Sequence, residues 1–439
     1  MDTLALLSDL TEEQKRAVTH GDGPLLIVAG AGSGKTRVIT RRIAYLINQG
    51  VPPPGILAIT FTNKAAGEMK QRVAAVLDHP LRDWGRLDHP FPTICTFHSL
   101  SLRILKHYAP VIGLPHNFSV FDSADQTKLL KQVVADLELP STQYSASVVH
   151  GVISKAKNKL QSVSDFTTKA RDFFERGVAR IYAKYQEALK ANNALDFDDL
   201  LLQTCRALKS HREVLEELQD RFVHILIDEY QDTNHAQYIL AHALAHKRRN
   251  ITVVGDPDQS IYAWRGADIS NILDFEKDYP DAVVVRLEQN YRSTKTVLAI
   301  ASKLISHNLR RKEKTLWTEN QQGDRALLLR CQDEHDEAQQ ITNRLKTLHQ
   351  RDGYAWNAMA IFYRVNSLSR VMEDALRRAG VPYQIARGVE FYNRKEIKDV
   401  LAYLRVLVNP NDEVSLERIA NVPPRGISDA TIRALQADA

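Results

Sequence analysis

Cysteine is scarce. Cys95, Cys205 and Cys331 are the only three in 439 residues, and they stand far apart in sequence. That spacing excludes a local metal knuckle or a disulfide framework and fits a reducing compartment. Long apolar runs are missing too: none approaches the roughly eighteen residues that would argue for a membrane span. The opening stretch, MDTLALLSDLTEEQ, is acidic where a secretory leader carries basic residues, so no leader is expected. Internal repeats and low-complexity tracts are absent. Neither sign of charge dominates, with 58 Lys and Arg against 53 Asp and Glu, a net +5. This mildly basic balance permits a nucleic-acid partner without requiring one. Clusters such as HKRRN (246–250) and LRRKEK (309–314) read first as solvated surface.

What remains is an ordinary globular composition, 44% hydrophobic and 25% charged, in a chain too long for a single core. Short Val/Ile/Leu runs alternate with helical patterns. LLIVA (25–29), LAITF (57–61), HILID (224–228), ITVVG (251–255) and AVVVRL (282–287) have the near-continuous apolar character of parallel strands buried on both faces. The stretch 34–50 between the first two has helical periodicity and ends at Gly50. The pattern is α/β, a doubly wound parallel sheet flanked by helices.

From about 110 to 215 strand-like runs vanish and helical periodicity takes over, yet the strand carrying Asp228 follows. The expected organisation is a first α/β domain over 1–109 plus 216–280, interrupted by an all-helical insertion over 110–215. A second α/β unit is expected over 281–387, with strands at 326–330, 358–363 and 382–386. A second helical segment is expected over 388–439, where Ile397, Val400, Leu401, Leu404 and Leu407 form one apolar stripe. A final helix from Ser428 leaves the second sheet short of strands. The chain is therefore expected to be the front part of something longer.

AGAGSGKT (29–36) follows a strand and opens a helix, the context in which a phosphate-binding loop is credible. Ala29, Gly30, Ala31, Gly32, Ser33 and Gly34 would curl backbone N–H groups around phosphates. Lys35 would reach the β- and γ-phosphates of ATP, and the Thr36 hydroxyl would ligate Mg²⁺. Ala29 stands where the pattern has glycine. LIDEYQD (226–232) ends a strand in two carboxylates, placing Asp228 toward the Mg²⁺ and Glu229 toward an attacking water. A few residues on, VVGDPDQSIYAWRGA (253–267) puts Gln259, Tyr262, Trp264 and Arg265 in one loop. Two buried core aromatics are the alternative reading of that loop.

The ordered set TEEQ (11–14), AGAGSGKT, LAITFTNKAA (57–66), TFHS (96–99), LDFDDLL (195–201), LIDEYQDTN (226–234), VVGDPDQSIYAWRGA and LEQNYRS (287–293) resembles the UvrD/Rep/PcrA family of superfamily 1 DNA helicases. The resemblance implies RecA-like motor lobes with helical insertions. It implies ATP-driven, Mg²⁺-dependent translocation 3′ to 5′ on single-stranded DNA, action at single/double-strand junctions, service in DNA repair or replication beside partner proteins it does not identify, and a cytoplasmic, nucleoid-associated place. By the same resemblance Gln14 reads adenine, although Thr11 and Gln14 also make a capping box. Arg37 and Tyr291 sandwich the base, Arg292 is an arginine finger, and Gln259 senses the γ-phosphate. Tyr262, Trp264 and Arg265 hold DNA, with Phe61, Thr62, Asn63, His98 and Phe197 beside them and Arg364 and Asn366 from the second lobe. Capping, core packing or plain surface exposure is the alternative for each of these. PPRGIS (423–428) faintly resembles a duplex-contacting turn. Two later family motifs, a Gly-rich stretch and one containing TRA, do not occur, so weak ATP hydrolysis is expected of this chain alone. A nucleotide-gated single-strand binding module without motor activity is the alternative function. A P-loop kinase or switch ATPase leaves the aromatic loop unexplained.

Overall fold

The computed structural model describes residues 3–78, 91–385 and 394–428, together with 431 and 434. The last residue of the strand expected at 382–386 and most of the helix expected from Ser428 lie outside them.

Eight strands are present among these residues: β1 Leu25–Ala29, β2 Ile56–Thr60, β3 Thr93–Thr96, β4 Ser119–Phe121, β5 Ala194–Asp196, β6 His224–Ile227, β7 Ile251–Gly255 and β8 Val283–Leu287. Six form one parallel sheet in the order β3-β2-β6-β7-β1-β8. Successive Cβ atoms point to opposite faces of a strand, so each apolar run feeds two cores. Leu26 and Val28 face one core with Leu57, Ile225 and Val253. Leu25, Ile27 and Ala29 face the other with Ile56, Leu226 and Val254. Helices cover both faces, among them Lys35–Asn48 and His235–Ala245. Buried Arg42 donates to the last carbonyls of the helix Glu12–Thr19, at Ala17 and Val18, and to Thr252 Oγ1 on β7. One guanidinium thus satisfies a helix end and ties it to the sheet.

Two expectations are corrected. The strand at 282–287 does not open a second sheet. As β8 it pairs with β1 from Leu25↔Val283 to Ala29↔Leu287 and closes one edge of the first. Second, the insertion is not wholly helical. Its helices, chiefly Ser123–Asp136, Ala146–Asn158 and Phe173–Ala191, enclose a short parallel pair β4-β5. Three-residue strands are too short to show a period.

The insertion turns on a buried ion cluster. Lys157 Nζ lies 2.6 Å from Asp196 Oδ2 and 2.9 Å from Asp199 Oδ1, all three side chains almost fully enclosed. Tyr185 donates to Asp196 at 3.0 Å. Asp196 caps the helix Phe197–Ser210 and exchanges bonds with Asp199 in a capping box. Locking positions 196 and 199 inward turns Phe197 outward, where it is half exposed. Within the same compact unit, residues 401–420 dock on the insertion. Asn409 Nδ2 donates to Ser119 Oγ and to the Asn192 carbonyl, Ser119 Oγ donates to Asp412, and Arg405 pairs with Asp125. Val414 adds an apolar contact, buried in the insertion's core, whereas Leu404 and Leu407 of the expected apolar stripe face solvent.

Residues 324–400 form a separate compact unit. Its helices Glu334–Gln350 and Ser369–Arg378 pack on each other around Ala338, Thr342 and Leu376. Among the described residues of this unit no strand forms where 326–330 and 358–363 were expected. Leu328 and Phe362 are 95% and 94% exposed. A strand exists only by pairing with a neighbour, and these runs have none.

Removing one partner from a buried ion pair strands the others without counter-charge, at a cost of about 3–5 kcal/mol. Urea denaturation should show Lys157→Met destabilised on that scale. Lys128→Ala, which loses an exposed pair with Glu417, should stay within about 1 kcal/mol of wild type.

Candidate nucleotide and nucleic-acid site

β1, β7 and β6 end side by side, and their carboxyl ends carry the expected motifs. In such sheets ligands collect outside the carboxyl ends of the strands. Ala29 is the last residue of β1, fully buried in extended backbone that does not call for glycine. Its departure from glycine is therefore harmless. Gly32 (φ 67°) and Gly34 (φ 87°) take the left-handed turns. A Cβ on Gly32 would lie 2.7 Å from both Arg292 Cβ and Asn290 Nδ2. Ser33 Oγ donates to the Gly30 carbonyl, and Lys35 and Thr36 open the helix.

A line of hydrogen bonds runs from this loop across the strand ends. Lys35 Nζ donates to Glu229 Oε2 at 3.0 Å. The same carboxylate oxygen accepts from Gln231 Nε2 at 2.8 Å. Gln231 Oε1 accepts from the Asp256 N–H at 3.0 Å, and Asp256 Oδ2 accepts from Gln259 Nε2 at 2.5 Å. Glu229 holds a left-handed backbone (φ 53°), a conformation that non-glycine residues keep only where the surroundings enforce it. Burial, and then the Glu229 charge, push the Asp228 carboxyl up to about 7. Burial pushes Asp232 up to about 6.

Beside the loop, Gln14 is buried and its amide is engaged. Nε2 donates to the Ser33 carbonyl, and Oε1 accepts from the Thr11 N–H. The capping box and a tie to the phosphate loop thus coexist. Gln14, Ser33, Gln289, Tyr291 and Trp317 line a small cavity of about 100 Å³. Arg37 pairs with Asp9 at 3.1 Å. The Tyr291 N–H donates to the Gly32 carbonyl, which sets Tyr291 and Arg292 against the loop.

The far side of the same strand ends opens into a groove of about 800 Å³ between the sheet and the insertion. Tyr262 and Trp264 are in it, and Trp264 is 66% exposed. The core alternative for these rings is excluded. Phe61 packs on Tyr262 with ring centroids 4.8 Å apart, and Arg265 lies over Trp264 at 4.7 Å. His98 meets Phe197 edge to face at 5.9 Å. Burial lowers His98 to about 4, leaving the ring neutral at pH 7. Thr62 and Asn63 do not line the groove. Thr62 caps the helix Asn63–Leu77 through the Ala65 N–H, and Asn63 accepts from Ser99. Arg364 and Asn366 belong to the 324–400 unit, where they line a concavity of about 540 Å³ with Trp356 and Phe362.

Sequence reasoning passed over Gln231, Asn290 and all of the insertion's share of the groove but Phe197. Gln231 stands inside a recognised motif, but its role needs the β6–β7 adjacency. Asn290 Nδ2 donates to the Ala31 carbonyl at 2.6 Å. On the groove side Asn158 joins Asp198 to Asn234, accepting from Asn234 Nδ2 at 2.6 Å. His150 and Gln126, bonded to each other, also face the groove.

Comparison with known proteins fits this arrangement. Residues 10–280 match the family model for the UvrD/REP helicase N-terminal domain, and residues 285–439 match that for the UvrD-like helicase C-terminal domain. The chain belongs to the UvrD/REP helicase family. Proteins named ATP-dependent DNA helicase PcrA, from Staphylococcus epidermidis and Staphylococcus aureus, are 47% identical to it over 434 residues. That alignment covers 98% of this chain and 58% of each relative's length. The match over 285–439 places the family's second domain in the part where a second α/β unit was expected, although β8 itself pairs with the first sheet. No helix among the described residues is long and apolar enough to cross a membrane.

Gly255 leaves the space that Gln231 occupies. A Cβ there would lie 2.5 Å from Gln231 Oε1 and 2.7 Å from Ile272 Cδ1. Gly255→Ala should therefore destabilise by about 1–3 kcal/mol through overpacking. Chemical denaturation checks this, and nucleotide affinity should fall with it as Gln231 is displaced.

Proposed function

We propose that this chain carries the motor of an ATP-dependent DNA helicase that translocates 3′ to 5′ on single-stranded DNA and acts at single/double-strand junctions in repair or replication. One observation carries the reading. The loop 256–265 holds Gln259 on the phosphate side and Tyr262, Trp264 and Arg265 in the groove. On this reading fuel and track are sensed by residues of one short segment. The relatives' name, ATP-dependent DNA helicase, supports the same reading.

In this reading ATP lies on the loop 29–36, with Gln14, Arg37 and Tyr291 about the base. Lys35 leaves Glu229 and reaches the β- and γ-phosphates. Freed of its cation, Glu229 orients the attacking water, and Arg292 stabilises charge on the transferring phosphoryl group. Thr36 and Asp228 would hold Mg²⁺, which supplies charge neutralisation on the phosphates. No three His, Cys, Asp or Glu side chains cluster as a metal cage among the described residues. A nucleotide Mg²⁺ needs only one or two carboxylates, the remaining ligands being phosphate oxygens and water. In the groove, Phe61, Tyr262 and Trp264 offer stacking faces that any base can use, and Arg265 a charge for the backbone. His98 and Phe197 continue the surface. Thr62 and Asn63 at its margin and Arg364 and Asn366 in the second unit are proposed as backbone contacts.

Weak ATP turnover is the expected behaviour of this chain alone, and steady turnover strongly stimulated by single-stranded DNA would overturn that expectation. Lys35→Ala should abolish turnover and leave DNA binding largely intact. Trp264→Ala should weaken single-strand binding by roughly 5- to 150-fold, the equivalent of about 1–3 kcal/mol of lost stacking. Anisotropy titrations measure this, and unwinding of 3′-tailed but not 5′-tailed duplexes tests direction. DNA binding gated by nucleotide with no turnover would favour the binding-module alternative.

A pH dependence follows from Asp228. A carboxyl raised to about 7 is half protonated at neutral pH, and a metal ligand must be ionised. Mg²⁺-nucleotide affinity should be full above pH 8 and fall as pH drops through 7. The fall should be absent in Asp228→Asn, as calorimetry at pH 6 and 8 would show.

A further inference from the structure

The segment 311–318 lies outside the phosphate loop, the acidic strand end and the loop 253–267. Lys314 contributes a side chain only 2% exposed, placed between Asp256 Oδ1 and Asp258 Oδ2 at 2.5 Å each. Arg311 reaches Asp258 as well, at 3.4 Å. A buried ammonium survives only where it is paired, so this lysine is held at one spot. The carboxylate it holds is the one that accepts from Gln259: Asp256 gives Oδ1 to Lys314 and Oδ2 to Gln259 Nε2. The direction of the Gln259 amide is thereby set from Lys314.

The same segment touches the phosphate loop. Leu316 packs on Gly30 so closely that an added Cβ would lie 2.2 Å from its Cδ2. The Trp317 carbonyl accepts from the Asn290 N–H, and Thr318 Oγ1 donates to the Asn290 carbonyl. Asn290 in turn donates to Ala31. One strap therefore contacts the turn 256–259, the phosphate loop and the stretch leading to Arg292. A contact made to all three by one short strand of backbone cannot shift at one end without loading the others.

We propose that Lys314 is a positioning residue for Gln259, acting through Asp256, and that the strap 311–318 makes the response to a terminal phosphate depend on it. The proposal rests on the reading of Gln259 as the γ-phosphate sensor. Lys314 touches neither nucleotide nor DNA. Its role is to fix whether the glutamine donor stays on Asp256 or turns to a phosphate.

The test measures single-strand affinity by fluorescence anisotropy with and without a non-hydrolysable ATP analogue, beside affinity for a fluorescent ADP. In the unaltered chain the analogue should shift DNA affinity by roughly 5- to 150-fold, the usual range of coupling between two sites. In Lys314→Met/Asp258→Asn, which keeps the buried charges balanced, the shift should collapse toward unity. ADP affinity and DNA affinity without nucleotide should stay near wild type, because neither needs a γ-phosphate response. Lys314→Arg, which keeps a cation in place, should retain part of the shift and shows that loss is not mere unfolding. A full shift in the double variant overturns the role of Lys314 and leaves the motor reading standing. No shift in the unaltered chain overturns both.

Discussion

A single buried amide joins the two halves of the phosphate site. Gln231 donates to the carboxylate that Lys35 also holds and accepts from the backbone of the β7 turn. Both of its polar ends are satisfied and the side chain is buried, which makes its geometry stiff. Remove the adjacency of β6 and β7 and Glu229 and Gln259 become unrelated side chains. The strand order therefore matters more than any one motif. β7 stands between β1, which bears the phosphate loop, and β6, which bears the carboxylates, so its turn can answer to both.

The groove has a comparable dependence on a concealed charge cluster. Asp196 and Asp199 serve at once as helix cap and as partners of Lys157. That double duty fixes the start of a helix to within a fraction of a turn, and Phe197 faces the groove as a consequence. The insertion is joined to the helices on the six-stranded sheet by Asn158 and Asn234, the latter capping the helix that follows the acidic strand end. That helix and the groove wall are thereby bonded through two short side chains.

Much of this was legible in residue order. Buried parallel strands declare themselves by apolar content, and five were located to within about a residue. The phosphate loop and the acidic strand end follow from the chemistry that phosphate and metal demand. Three things were not legible. β4 and β5 are too short to carry a period. The strand at 283–287 looks the same whether it begins a new sheet or closes an old one, since its sequence reports burial and not its neighbour. The runs at 326–330 and 358–363 have strand composition but no pairing partner, and composition cannot supply one. Thr62 illustrates an ambiguity that residue order leaves open. A threonine after a strand reads equally as phosphate contact or helix cap, and the cap is what the fold displays.

Linear order was sufficient to propose the chemistry, because the side chains assigned to phosphate and to bases are chemically distinctive and stand in short, ordered runs. It was insufficient to state the wiring. That Lys35, Glu229, Gln231, Asp256, Gln259 and Lys314 form one connected line, across gaps of up to 194 residues, follows from parallel strands being laid side by side. Hydrogen bonds and ion pairs act over a few ångströms of space, and separation along a chain says nothing about that distance until the chain is folded.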